Sequence, residues 1–113
     1  MFNRKECKTW TGNVYMAGDI AIAEQEIREI GYQRGLCLTI HPTKYIYSGG
    51  EETGFVIGQI QYPRFMADEK HLKSDLIKIA QQIAYKCCQK SFTIVMPKET
   101  LYFHSSQPQK GIK

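Results

Sequence analysis

The residues of this chain best suited to holding a ligand are aromatic and basic, Tyr45-Ile46-Tyr47 in one stretch and Tyr62-Pro63-Arg64-Phe65 in another. Aromatic rings stack on planar bases, and a guanidinium forks onto phosphate, so Tyr45, Tyr47, Arg64 and Phe65 form a candidate site for a small anionic or nucleotide-like ligand. The site requires the two stretches to meet, which the pairing of two strands is expected to arrange. Tyr and Phe are also ordinary strand formers, and that simpler explanation stands beside the functional one. A second set offers catalysis in place of binding. His41-Pro42-Thr43 and His104-Ser105-Ser106 are His-x-hydroxyl triplets, each at the end of a strand-like run. One imidazole can act as general base and the other as general acid while the hydroxyls donate to a phosphodiester. His41, Thr43, His104 and Ser106 therefore define an alternative catalytic site, on condition that both histidines reach one substrate.

Other groupings exclude chemistry. Gly49-Gly50-Glu51-Glu52-Thr53-Gly54 is glycine-rich, but it joins two strands, lacks a lysine and places two carboxylates where phosphates would be repelled. It reads as a hairpin loop with solvated charges. Cys7, Cys37, Cys87 and Cys88 show no metal-ligand or redox spacing, so they are expected as free thiols, with no metal and no cofactor. Cys37 falls in an apolar strand run and Cys87 on a helix's apolar face, where a thiol acts as a small hydrophobe.

The elements that must position these residues follow from periodicity. Val14 and Met16 alternate with Asn13 and Tyr15, predicting a strand over 11–17. Asp19 is placed to cap a helix over 20–33, whose Ile20, Ala23, Ile27 and Ile30 form one apolar stripe and which Gly31 or Gly35 should end. Two strands over 36–47 and 55–62 flank a loop at 48–54, and Pro42 implies a bulge, a bend or an edge position in the first. A second helix, with Asp68 as its cap, carries the cleanest stripe: Leu72, Leu76, Ile79, Ile83 and Cys87. Strands over 91–96 and 100–104 close the chain. The order βαββαβ predicts an α+β, ferredoxin-like two-layer sandwich, an antiparallel sheet with two helices on one face. The same elements in another strand order are the alternative. The uncovered face would present Thr39, Tyr45 or Tyr47, Gln59, Gln61 and Thr93, polar enough to stay wet or to bind something.

At 113 residues the chain suits one domain. The expected organisation is a loosely held segment 1–10, a domain over 11–106 and a flexible tail over 107–113. Fifteen Lys+Arg against eleven Asp+Glu give a net charge of +4, a mild excess that favours anionic partners without forming a nucleic-acid arm. No apolar run reaches membrane-spanning length, and the free cysteines suit a reducing compartment, so a cytoplasmic protein without membrane contact is expected. Unpaired edges of a small sheet commonly pair between subunits, which predicts a homo-oligomer.

Two resemblances add to this reading. The His-x-hydroxyl triplets resemble those of the two-histidine phosphoesterases, although Pro42 fills the middle of one and Gln107-Pro108 follow the other. The segments YMAGDIA, GLCLTIHPTKYIYSGGEE, IGQIQYPRF and SFTIVMP, spread over residues 13–97, resemble small proteins carried by tailed bacteriophages. That resemblance implies an accessory role in the bacterial cytoplasm, in which such proteins neutralise host defence by sequestering a nucleotide signal or gripping a defence protein. The leading expectation is a non-enzymatic protein that binds a small anionic or nucleotide-like ligand. An inhibitor of a bacterial defence protein and a small phosphodiesterase are the alternatives.

Overall fold

The computed structural model describes residues 1–105; Ser106 and the segment 107–113 lie outside the described residues. Five strands and two helices follow one another as β1 (Thr11–Ala17), α1 (Ile20–Gln33), β2 (Thr39–Tyr47), β3 (Gly50–Ile60), α2 (Glu69–Lys86), β4 (Ser91–Val95) and β5 (Thr100–His104), with a short 3-10 turn at Pro63–Phe65. The sheet is antiparallel throughout, in the order β2-β3-β1-β4-β5. The first four strands and the two helices make the expected βαββαβ sandwich, and β5 extends the sheet beyond β4.

Alternation along each strand divides the sheet into two faces. Val14, Met16, Phe55, Ile57 and Ile94 are buried against α2 residues Leu76, Ile79, Ala80 and Ile83 and α1 residues Ala23 and Ile30. Leu76, Ile79 and Ile83 each expose 1% or less, as the stripe on α2 requires. The core starts before the predicted domain boundary, because Trp10 is buried within it and its carbonyl accepts from the Gln61 N–H.

Local signals resolve unevenly. Asp19 caps α1 by accepting the Ala21 N–H at 2.9 Å. Asp68 occupies the equivalent position on α2 but makes no side-chain capping bond. Gly31 does not end α1, which runs on to Gln33. Pro42 lies within β2, an outer strand, where a missing N–H leaves no ladder bond unmade on the solvent side.

The largest departure is the glycine-rich stretch, which is strand and not loop. β2 and β3 pair from Thr39↔Gly58 to Tyr47↔Gly50, leaving a two-residue turn at Ser48-Gly49. Gly49 supplies the positive φ (+89°) that such a tight turn needs. Cys37 is also displaced from its expected place: it precedes β2 and is exposed, its Sγ 3.3 Å from the Tyr62 hydroxyl. Cys87, expected on the helix, is the C-cap residue just past the end of α2; it is buried, as its place on the apolar stripe predicts, and burial first, then the nearby negative charge of Asp19, pushes its thiol up to about 11.

Candidate ligand site on the open sheet face

The face of the sheet away from the helices collects every other strand residue. The pairing places His41, Val56, Tyr15, Thr93 and Tyr102 in one row across all five strands. The neighbouring row carries Thr43, Gly54 and Ala17, and beyond it Tyr45 stands opposite Glu52. The turn from α2 into β4 borders a shallow, open concavity of about 530 Å³ on this face, whose lining includes Tyr15, Tyr45, Glu52, Lys90, Thr93 and Tyr102. Besides Phe92, the concavity offers three tyrosine rings, one carboxylate and one ammonium, with Tyr45 on β2 and Tyr102 on β5 at its opposite ends, so that a ligand touching both would have to span the sheet.

The three tyrosines are held differently. Tyr45 donates its hydroxyl to the Phe55 carbonyl oxygen at 2.8 Å. Burial raises its pKa above the ordinary 10.0, the Met16 backbone partly offsets this, and the adjacent Tyr15 adds to the rise. It remains a neutral wall at physiological pH. Tyr102 is 64% exposed and stacks on His104 with ring centroids 5.4 Å apart; Tyr15 is 40% exposed.

The sequence-predicted ligand set is not brought together. Tyr45 and Tyr47 flank the distal end of the β2–β3 hairpin, where they pair with Glu52 and Gly50. Arg64 and Phe65 follow the opposite end of β3, with Arg64 Cζ 5.1 Å from the centroid of the Phe65 ring. From Glu52 to Ile60 the strand alone spans roughly 26 Å at about 3.3 Å per residue. Within one chain these four side chains cannot share a small ligand.

The alternative catalytic set is separated as well. His41 and Thr43 lie on β2 and His104 on β5, the two outer strands of the sheet. Four interstrand spacings put the histidines roughly 19 Å apart, too far to act on one phosphodiester within a chain. Ser106 lies outside the described residues. No group of three or more His, Cys, Asp or Glu side chains with metal-binding geometry occurs among the described residues, and no helix among them is long and apolar enough to cross a membrane.

Sequence reasoning missed Tyr15, Lys90 and Tyr102 as site residues and read Glu52 as a solvated loop charge. Tyr15 carried a signal, since it alternates with the core residues Val14 and Met16 and so had to face away from the helices. Of the residues expected on this face, Thr39, Tyr45, Tyr47 and Thr93 are there, whereas Gln59 alternates onto the helix side with Ile57. Gln61 spends its amide on the N–H and carbonyl of Ala67, pinning the connection to α2.

No protein-family model matches the chain, and no curated protein matches it. Solved structures do. A phage SAM lyase in its apo state superposes with a TM-score of 0.66 over 87% of this chain and 90% of the other, at 8% identity. A phage SAM lyase in complex with S-methyl-5′-thioadenosine gives 0.62 over 93% and 96%, at 9% identity. The chain shares their fold. Identity this low carries over the architecture and no individual residue, so the site has to be argued from the cavity's own chemistry.

Proposed function

We propose that the chain is a phage-type accessory protein that captures an adenosine-bearing sulfonium or thioether of the S-adenosylmethionine class on the open face of its sheet. The observation that carries this reading is the composition of the cavity: three tyrosine rings with Glu52 and Lys90. Such a ligand consists of a planar purine, which stacks on tyrosine, and an amino-acid end bearing one ammonium and one carboxylate. Glu52 is complementary to the ammonium or the sulfonium, and Lys90 to the carboxylate. An anionic ligand alone would leave Glu52 opposed, so the chemistry favours a zwitterionic nucleoside over a nucleotide phosphate. The shared fold, one example of which holds S-methyl-5′-thioadenosine, supports the same class. Withdrawing a methyl donor from a host fits the counter-defence setting that the phage resemblance implies.

Cleavage is the second reading, favoured because the structural neighbours are lyases. A sulfonium leaves as a neutral thioether with the carbon–sulfur electron pair, and the substrate's own carboxylate oxygen can form the replacing bond to that carbon, closing a cyclic ester with no proton transferred. A site that only orients the carboxylate against the carbon can therefore advance this reaction.

The outer strand β5, Thr100-Leu101-Tyr102-Phe103-His104, has neither Lys nor Pro along the edge that no other described strand pairs with, unlike β2 with Pro42 and Lys44. An unguarded edge suits pairing with a second copy of the chain. Light scattering tests this directly, and a monomer at all concentrations contradicts it.

The test of function is to incubate the protein separately with S-adenosylmethionine, S-adenosylhomocysteine and S-methyl-5′-thioadenosine. Melting temperature reports binding, and chromatography reports release of the thioadenosine. The proposal expects a raised melting temperature with S-adenosylhomocysteine. Stable S-adenosylmethionine in the presence of the protein supports capture, and its conversion supports the lyase. No thermal shift with any of the three contradicts both.

A further inference from the structure

Tyr45 differs from the other tyrosines of the cavity in being fixed at both ends of its ring. Its register partner is Glu52, yet the ring leans diagonally onto Gly54. A Cβ built on Gly54 would lie 2.7 Å from Tyr45 Cε2, and also 2.4 Å from the Met16 carbonyl oxygen. An aromatic side chain covering the bare backbone of a strand glycine shields hydrogen bonds that no side chain of its own could cover. At the far end, the hydroxyl donates to the Phe55 carbonyl oxygen at 2.8 Å, and Phe55 is fully buried at the centre of the sheet. The ring thus has a packing contact along one edge and a hydrogen bond at its tip. Tyr15 and Tyr102 have no hydroxyl hydrogen bond among the described residues.

We propose that Gly54 and the Phe55 carbonyl are positioning groups that hold the Tyr45 ring as a fixed wall, so that the cavity selects its ligand by the flat face of an aromatic base. The proposal rests on the reading of this cavity as an adenosyl site. Since the Tyr45 hydroxyl is committed to the backbone, Tyr45 contributes shape and stacking, while Tyr15 and Tyr102 keep hydroxyls for polar contact. A side chain ordered before binding loses no further rotamer freedom when the ligand arrives, and affinity rises accordingly. The glycine-rich strand then has a function beyond its turn: a Cβ at Gly54 would meet the β1 backbone at Met16 and Ala17 as well as the Tyr45 ring, so its absence admits both the close strand packing and the wall.

The experiment compares wild type with Tyr45→Phe and Tyr45→Leu, using S-methyl-5′-thioadenosine as the probe. Tyr45→Phe keeps the ring and removes its tether, and the expected result is binding weakened about 3- to 10-fold, with the melting temperature lowered by only the few degrees that one lost hydrogen bond costs. Tyr45→Leu removes the stacking face and is expected to weaken binding more than about tenfold. A ligand-free measurement separates positioning from mere structure. In wild type, χ1-dependent NMR couplings should report one rotamer for Tyr45, with its ring carbon titrating above the ordinary tyrosine range, and the couplings should average in Tyr45→Phe. Rotamer averaging of Tyr45 in wild type that nonetheless binds the probe overturns the clamp alone. Tyr45→Phe binding as tightly as wild type also overturns it. Failure of wild type to bind the probe overturns the adenosyl reading and the selection with it, whatever the couplings show.

Discussion

The two faces of the sheet are built from alternate residues of the same strands and obey different rules. On the helix side, Val14, Phe55, Ile57 and Ile94 are completely buried against α2. On the other side, their immediate neighbours Tyr15, Val56 and Thr93 lie in the row that ends at Tyr102. A shift of one residue in register would exchange the two sets, so the apolar face fixes the register and the open face inherits its arrangement. Folding demands large apolar groups on one side only. What stands on the other is free of that demand, and there Tyr15, Tyr45 and Tyr102 line one concavity with Glu52 and Lys90.

The sharpest way to break this comparison is through stability. Ile79→Ala should cost about 2 to 5 kcal/mol, since it removes packed methyl groups from a residue that exposes 1% of its surface. Denaturant titration measures it, and a loss below about 0.5 kcal/mol would show that the helix side is not the core.

Glu52→Gln sharpens the comparison from the other side. Exposed and outside the core, Glu52 should leave the unfolding midpoint nearly unchanged. Calorimetric binding of S-adenosylhomocysteine should weaken by about 1 to 1.5 kcal/mol through loss of a charge-assisted contact. The same variant should bind S-methyl-5′-thioadenosine as wild type does, because that ligand lacks the amino-acid end. Equal losses for both ligands would place Glu52 against the nucleoside instead.

The smallest effect is expected on the outer surface of the helices. Arg34 and Asp75 form an ion pair at 2.7 Å, with side chains 41% and 26% exposed. Solvent screening limits such a pair, and Arg34→Ala should cost less than about 1 kcal/mol in thermal unfolding and leave ligand binding unaltered.

The parts of the molecule legible in the sequence are those set by local periodicity. The stripe Leu76-Ile79-Ile83 announces α2 and its buried side, and the alternation around Val14 and Met16 announces β1. The candidate site was hidden because it depends on contacts between strands distant in sequence. Three glycines between 49 and 54 read locally as a loop; in the structure only Gly49 serves the turn, and Gly54 is bare because the β1 backbone at Met16 and Ala17, together with the Tyr45 ring, occupies the place of a Cβ. His41 and His104 looked alike in sequence, but strand order puts them on opposite edges. Tyr45 and Arg64 were separable by counting: in an antiparallel hairpin, residues just before the turn and residues after the returning strand lie at opposite ends. Tyr102 belongs to the strand added outside β4, so its place in the row of Tyr15, across Thr93, appears only once the β4–β5 and β1–β4 registers are known.

The central claim, that the open face of the sheet is the ligand surface, is tested most directly by titrating S-methyl-5′-thioadenosine into isotopically labelled protein and mapping the perturbed NMR resonances. The account predicts saturable shifts concentrated at Tyr15, Tyr45, Thr93 and Tyr102, with Leu76, Ile79 and the outer surface of α1 unmoved. Shifts centred on the groove between α1 and α2, around Arg34, Lys78 and Tyr85, or no shifts at millimolar ligand, would contradict it.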